Sequence, residues 1–396
     1  MSLPDEEREW APATRLVRGG MERSPYGEAS EALFLTQGFV YDSAEAAQAR
    51  FAGEADGFVY SRYGNPTNAV FERRLALLEG AEACRSTGSG MSAVALALQG
   101  LVRAGDHVLA SRALFGSCRW ILKEWLPRFG VETTTVDGPD LDAWRDAVRP
   151  NTRALFLETP ANPLLEIIDI AGVAAIAREA GARLVVDNVF ASPLYQRPLE
   201  LGADVVVYSA TKHIDGQGRV LGGAVLGSQA LIEESYRDLI RHTGPTLSAF
   251  NAWVFLKGLE TLEVRVQRQT QTAARLADAV AAHPRTARIF YPGRPDHPQH
   301  AVAARQMSGF SNLLAFDLGS QAAAFRFLNA LRIVDISNNL ADAKSLATHP
   351  PTTTHRAVPE AERLAIGLTE GCVRLSAGLE DAADLERDVL RALDAA

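Results

Sequence analysis

The sequence predicts an α/β fold, with a mostly parallel central sheet and a smaller C-terminal α/β domain. Three observations predict it. Short β-branched runs alternate with helix-like segments between Asn65 and Ser209, the pattern that builds a parallel sheet. A long helical pattern follows, and beyond it a second, shorter series of strand-like and helix-like segments begins. At 396 residues the chain also exceeds what one hydrophobic core usually supports, so two domains are expected.

In chain order, residues 1–64 show little periodicity and are rich in Gly, Ser, Glu and aromatics, which predicts an arm contributing to a neighbouring subunit. The larger domain, 65–257, is expected to carry strands at HVLA (107–110), VETTTV (131–136), RALFLE (153–158), RLVVD (183–187) and DVVVYS (204–209). Helices between them include LDAWRDAV (141–148) and IAGVAAIAREAG (170–181), the second stopped by Gly181. Glu158, Asp187 and Ser209 each close a predicted strand. Ligands of open α/β sheets bind beyond the carboxyl ends of the strands, so these three residues are expected to line one crevice. The helical pattern from Ser248 to His283 leads into the C-terminal domain, 258–396, where SNLLAFDLG (311–319), QAAAFRFLNAL (321–331), CVRLSAG (372–378) and the terminal DAADLERDVLRALDAA read as strand, helix, strand and helix. The Pro-rich YPGRPDHPQH (291–300) reads as a surface loop.

Composition narrows the function classes. Hydrophobic residues at 47% and charged residues at 22% are ordinary globular usage and exclude a disordered chain. A net charge of −8 without any basic run argues against a nucleic-acid partner, because phosphate binding needs concentrated positive charge. No stretch approaches the ~18 to 20 apolar residues that cross a bilayer, and the N-terminus lacks a basic segment followed by an apolar one, so no membrane partner and a cytoplasmic location are expected. Cys84, Cys118 and Cys372 are widely spaced, which indicates reduced thiols and no metal site.

The segment Ala203–Gly223, ADVVVYSATKHIDGQGRVLGG, concentrates the candidate chemistry. An ammonium is strongly hydrated, so Lys212 at the end of an apolar run needs either a depressed pKa or a covalent partner that removes its charge. A Schiff base with pyridoxal phosphate supplies the second. Ser209 and Thr211 fall on one face of an extended chain by period-two alternation and both can donate to a phosphate. A surface lysine following a strand is the plainer alternative. Upstream, Ser86–Met91 forms a small-residue loop opening an apolar helix, whose backbone N–H groups suit an anion; such loops also merely cap helices. Asp187 lies 25 residues before Lys212, a gap that fits one loop or short helix plus one strand and puts both at the same sheet edge. A carboxylate there can keep a pyridine nitrogen protonated, or simply cap the next helix. Three features that each fit one cofactor strengthen one another.

These residues resemble the Cys/Met-metabolism PLP-dependent enzymes of the aspartate-aminotransferase-like fold, a group that includes cystathionine γ-synthases, γ-lyases and homoserine-ester sulfhydrylases. The resemblance runs from about Tyr60 to Leu390 and is carried by YSRYGNPT (60–67), GSGMSA (88–93), ETPANP (158–163), VVDNVFASP (185–193), SATKHIDGQGR (209–219) and VRLSAGLED (373–381). It implies pyridoxal 5′-phosphate bound to Lys212, which then shuttles protons between substrate carbons. Gly90 and Met91 would hold the phosphate by backbone with hydroxyls from Ser209 and Thr211, Phe115 would stack on the ring, and Asp187 would face its nitrogen. Tyr60 and Arg62 would come from the neighbouring subunit, with Tyr60 assisting proton transfer. Arg374 would clamp the substrate α-carboxylate, with Asn162 and the Asn339 backbone as further contacts. The assembly implied is a homotetramer built as a pair of dimers.

Within the group, DGQGR together with GPTLSAFNAWVFLKGLETL (244–262) most resembles the branch acting on O-succinylhomoserine. The implied reaction is γ-replacement on O-succinylhomoserine or O-acetylhomoserine with sulfide, giving homocysteine in methionine biosynthesis. Cystathionine synthesis from cysteine and a γ-lyase reaction are the alternatives. Two departures stand out. Phe115 occupies the place where many members have a stacking tyrosine, and SNNLADAKSL (337–346) replaces a Ser-Leu-Gly-Gly loop that contacts substrate in relatives.

Overall fold

The computed structural model describes residues 5–396; the first four residues of the predicted arm lie outside the described residues. Seven strands form the larger sheet: β1 (Ala83–Thr87), β2 (His107–Ser111), β3 (Glu132–Val136), β4 (Thr152–Glu158), β5 (Arg183–Asp187), β6 (Val205–Ser209) and β7 (Gly223–Gly227), in the order β1-β7-β6-β5-β4-β2-β3. Pairing is parallel from β6 through β5, β4 and β2 to β3, while β7 runs antiparallel to both its neighbours. The sheet is therefore mostly parallel, as predicted. The five strands expected from sequence are present within a residue or two at each end. The sequence reading passed over β1 and β7, because ACRST and GAVLG lack the β-branched enrichment that marks a strand. For β7 burial decides instead, every residue being buried between β1 and β6, and β1 is the half-buried edge strand that pairs with it.

Helices cover both faces. Gly90–Gln99 packs on β6 and β7 on one side, where Val94, Leu96 and Leu98 join Val205, Val207 and Val225 in one core. Pro66–Glu79 and Ala249–Leu259 pack against each other on the opposite side with Tyr208 and Leu226. Ile170–Glu179 covers β4 and β5. The smaller sheet is β10 (Asp335–Ile336), β11 (Leu346–Thr348), β12 (Cys372–Ser376), β9 (Leu313–Asp317) and β8 (Arg288–Phe290), in that spatial order. Its own core of Phe316, Phe327, Leu314 and Val389 lies under the helices Leu262–Ala282, Gln321–Ala330 and Ala382–Asp394.

One further expectation is corrected, and two segments gain detail. The long helical pattern is two helices, Ala249–Leu259 and Leu262–Ala282, separated at Glu260–Thr261. Within the last turn of the first helix, a Cβ on Gly258 would stand 2.2 Å from the Ile214 carbonyl oxygen, so glycine there lets the turn after β6 approach the helix. The first 64 residues contain short helices at Asp5–Glu9, Pro12–Arg18 and Ala44–Ala52, the last capped by Ser43. The segment 291–300 is turn-rich, yet Tyr291 and His297 within it are buried.

Candidate functional site

The carboxyl ends of β4, β5 and β6 bring Glu158, Asp187 and Ser209 to one rim. Glu158 stands opposite Asp187 in parallel register. All three line a cavity of about 270 Å³, together with Gly90, Met91, Phe115, Asn162, Thr211, Lys212 and Arg374. Ten of the twelve residues singled out from sequence as site residues therefore bear on one place, nine as lining and Asn339 by contact with Lys212 and Arg374.

Lys212 sits in the turn after β6 and not on an extended chain. The strand ends at Ser209, the Lys212 N–H donates to the Ser209 carbonyl at 3.1 Å, and the Gly216 N–H donates to the Lys212 carbonyl at 2.7 Å. The period-two argument for Ser209 and Thr211 thus gave the right neighbours for the wrong reason: a tight turn, not alternation, aims both at the cavity. Thr211 Oγ1 also accepts the Gly222 N–H at 3.1 Å, which fixes the turn to the segment entering β7. Arg265, from the helix Leu262–Ala282, holds the turn from behind by donating to the His213 carbonyl at 3.0 Å and the Gly258 carbonyl at 2.8 Å. The Lys212 ammonium donates to Asn339 Oδ1. Burial, and secondarily the nearby Arg374 charge, pushes the Lys212 pKa down to about 8, so a neutral, nucleophilic amine is accessible near physiological pH.

The helix Gly90–Gln99 begins at the same rim. Ser89 caps it, accepting the Ser92 N–H at 3.1 Å, and the N–H groups of Gly90 and Met91 precede the first intrahelical acceptor. A Cβ on Gly90 would stand 2.5 Å from Ser209 Cβ and 2.7 Å from its Oγ. Only glycine lets the helix start and the hydroxyl converge on one spot. On β5, burial pushes Asp187 well above the usual carboxylate range, despite a 3.1 Å hydrogen bond from the Val189 N–H. Glu158 is raised in the same direction by burial and by the Asp187 charge. Arg374, on β12 of the smaller sheet and 2% exposed, donates to Asn162 Oδ1 at 2.9 Å and to the carbonyls of Asn338 and Asn339 at 2.9 and 3.2 Å.

This donor and acceptor set fits pyridoxal 5′-phosphate. Backbone N–H groups of the Gly90–Met91 helix start and the hydroxyls of Ser209 and Thr211 suit a phosphate, the Lys212 amine of depressed pKa suits an aldehyde, and the buried Asp187 carboxyl would find its counter-charge in a protonated ring nitrogen.

Tyr60 and Arg62 do not line this cavity. They lie in a separate groove with Leu35, Gly244 and Thr246, where the Arg62 guanidinium is 4.8 Å from the centre of the Tyr63 ring and 5.4 Å from that of Tyr60. Sequence reasoning missed Thr354, marked the segment of Asn338 (337–346) without naming that residue, and gave Glu158 a place at the rim without a contact.

Residues 13–394 match the family model of Cys/Met metabolism PLP-dependent enzymes. An O-succinylhomoserine sulfhydrylase of Mycobacterium tuberculosis is 54% identical over 397 aligned residues, covering 99% of this chain and 97% of its own. One from Pseudomonas aeruginosa is 48% identical, covering 96% and 95%. A solved Campylobacter jejuni structure, named as an O-acetylhomoserine (thiol)-lyase and carrying an N′-pyridoxyl-lysine-5′-monophosphate, superposes with a TM-score of 0.94 at 30% identity, covering 97% of this chain and all of that one. A match over nearly the whole length leaves no part of either sheet outside the likeness, and the cofactor is pyridoxal 5′-phosphate. This chain belongs to the Cys/Met metabolism PLP-dependent enzymes.

Proposed function

We propose that this chain replaces the succinyl ester at Cγ of O-succinylhomoserine with sulfide, giving homocysteine and succinate in methionine biosynthesis. The observation that carries the substrate is the full-length likeness to two sulfhydrylases named for it. The geometry supports the reaction type.

Arg374 presents a buried fork for an α-carboxylate, already steadied by Asn162 and two backbone carbonyls. The bound cofactor supplies an electron sink for charge developing on the amino-acid carbons. Lys212, as a free amine, takes the proton from Cα and then moves protons at Cβ, a task suited to a pKa near the working pH. Loss of the Cβ proton allows the carboxylate to leave Cγ, and hydrosulfide adds there. Returning the protons to Cβ and Cα completes a balanced exchange of one anion for another. Asp187, its pKa raised by burial, would be the partner of a protonated ring nitrogen, and Phe115 would line the cavity beside the ring.

Residues 1–64 act as an arm to a neighbouring subunit, and Tyr60 and Arg62 complete that subunit's site in a homotetramer. Tyr26, Val40, Leu35 and Phe51 support this reading, since these large apolar side chains are 68–95% exposed on a single chain. A division into a cofactor-binding part, 65–257, and a C-terminal part, 258–396, is supported by the presence of two sheets, and the second part brings Asn338, Leu340, Thr354 and Arg374 to the cavity.

Product analysis tests the assignment: cofactor-loaded protein with O-succinylhomoserine or O-acetylhomoserine, supplied with sulfide, cysteine or neither. Homocysteine from the succinyl ester and sulfide as dominant product is expected. Dominant cystathionine, or keto acid without a thiol, overturns it.

A further inference from the structure

We propose that Glu158 is a positioning residue that fixes Phe115 and the Asn162–Arg374 pair as one unit, so that one side chain sets both the ring-packing wall and the carboxylate clamp. The proposal rests on the reading that the cavity receives an amino acid, and not on which ester is consumed.

Glu158 is the last residue of β4 and is 3% exposed. Its two carboxylate oxygens take separate backbone donors from separate segments. Oε2 accepts the Phe115 N–H at 2.8 Å, from the loop after β2, and Oε1 accepts the Asn162 N–H at 2.8 Å, from the loop after β4. Asn162 passes the constraint on, because its Oδ1 accepts from Arg374 Nη1 at 2.9 Å across the gap between the two sheets. A continuous path therefore runs from Phe115 through Glu158 and Asn162 to Arg374.

The residue type matters. Two N–H donors converging on one side chain need two acceptor oxygens, which a carboxylate has and an amide lacks. Glutamine of the same length would aim an NH₂ group at one of the donors. A carboxylate at this point is also electrostatically disfavoured, buried and facing Asp187 in register. Burial and the Asp187 charge raise its pKa, and the two backbone donors and the Arg374 charge act against that rise; both oxygens are held as acceptors by the two N–H groups.

The test uses cofactor-loaded protein carrying Glu158→Gln, Asn162→Ala, or both. Glycine is titrated by the visible spectrum of the cofactor, and visible circular dichroism is recorded. Glu158→Gln is expected to weaken glycine binding about tenfold or more, the loss of one buried hydrogen bond, and to diminish the dichroism as Phe115 shifts. Because Glu158 acts through Asn162, the double variant is expected to lose less than the product of the two single losses. Native glycine affinity in Glu158→Gln, a melting temperature lowered without change in binding or dichroism, or single losses that multiply, each overturns the proposal. If Glu158→Gln does not fold, Glu158→Asp carries the same expectations, since it keeps both oxygens but is one methylene too short to hold both donors. Glycine binding needs neither ester nor sulfide, so failure of the substrate assignment leaves these readings intact.

Discussion

Arg374→Ala separates the roles of the buried cation. In the structure the guanidinium is wholly inside, with bonds of 2.9, 2.9 and 3.2 Å to Asn162 Oδ1 and the carbonyls of Asn338 and Asn339. Its removal leaves those acceptors without their donor and any bound α-carboxylate without a counter-charge. Leaving a buried charge unpaired costs about 3–5 kcal/mol, which corresponds to a loss of amino-acid affinity of roughly a hundred- to several-thousand-fold. A second consequence concerns Lys212. The Arg374 charge is the second cause, after burial, of the lowered lysine pKa of about 8, so deleting it raises that pKa. Only the neutral amine attacks the cofactor aldehyde, and it is present above the pKa. Cofactor uptake by the cofactor-free chain is therefore expected to accelerate as pH rises through about 8 in the parent, and at higher pH in Arg374→Ala. Absorbance-monitored uptake between pH 6 and 10, with glycine titration of the loaded proteins, measures both. Arg374→Lys keeps a charge without the fork and is expected to restore the uptake midpoint while recovering only part of the affinity. Native affinity in the alanine variant, or an uptake midpoint that stays put or falls, refutes the reasoning.

Lys212→Ala is expected to abolish the visible band of lysine-bound cofactor and turnover with it; an unchanged spectrum in an active protein contradicts the assignment. Gly90→Ala places a methyl 2.5 Å from Ser209 Cβ, and is expected to reduce cofactor retention on dialysis about tenfold or more, with little change if the helix start is no phosphate cradle. Arg62→Ala should release cofactor faster on dialysis against phosphate, whereas equal retention argues against a site shared between subunits. Glu79, fully buried and bonded to Tyr208, has its pKa pushed up to about 8 from 4.5 by burial. The folded chain then holds a proton that the unfolded chain releases, so stability falls as pH rises from about 4.5 to 8, by up to about 3 kcal/mol at pH 7. Glu79→Gln is expected to flatten that slope in melting curves taken from pH 5 to 8; parallel slopes for variant and parent reject it.

The legibility of the site follows its chemistry. Lys212, Asp187 and the Ser89–Met91 turn were readable because each lies at or just after a strand end or at a helix start and is of unusual residue type, and βαβ alternation sends such ends to one rim. Five strands were readable for the same reason, that apolar β-branched runs have few other uses. Glycine-flanked β7 and polar β1 were not, since their strand state comes from neighbours that bury them. The place of Arg374 against Asn162 was legible only through likeness to other sequences: 212 residues separate them, and nothing local links them. The role of Glu158 was invisible to both.

What the sequence by itself determined is the local order: where strands end, which helix opens on small residues, and that a lysine follows Ser-Ala-Thr. Hydrophobic period and turn chemistry act over a few residues, and so are written there. What only the tertiary structure decided is which groups meet. The lowered lysine pKa, the paired carboxylates of Glu158 and Asp187, and the Phe115–Glu158–Asn162–Arg374 path all depend on burial and on contacts between segments far apart in the chain. Desolvation and hydrogen-bond geometry exist only once both sheets are in place.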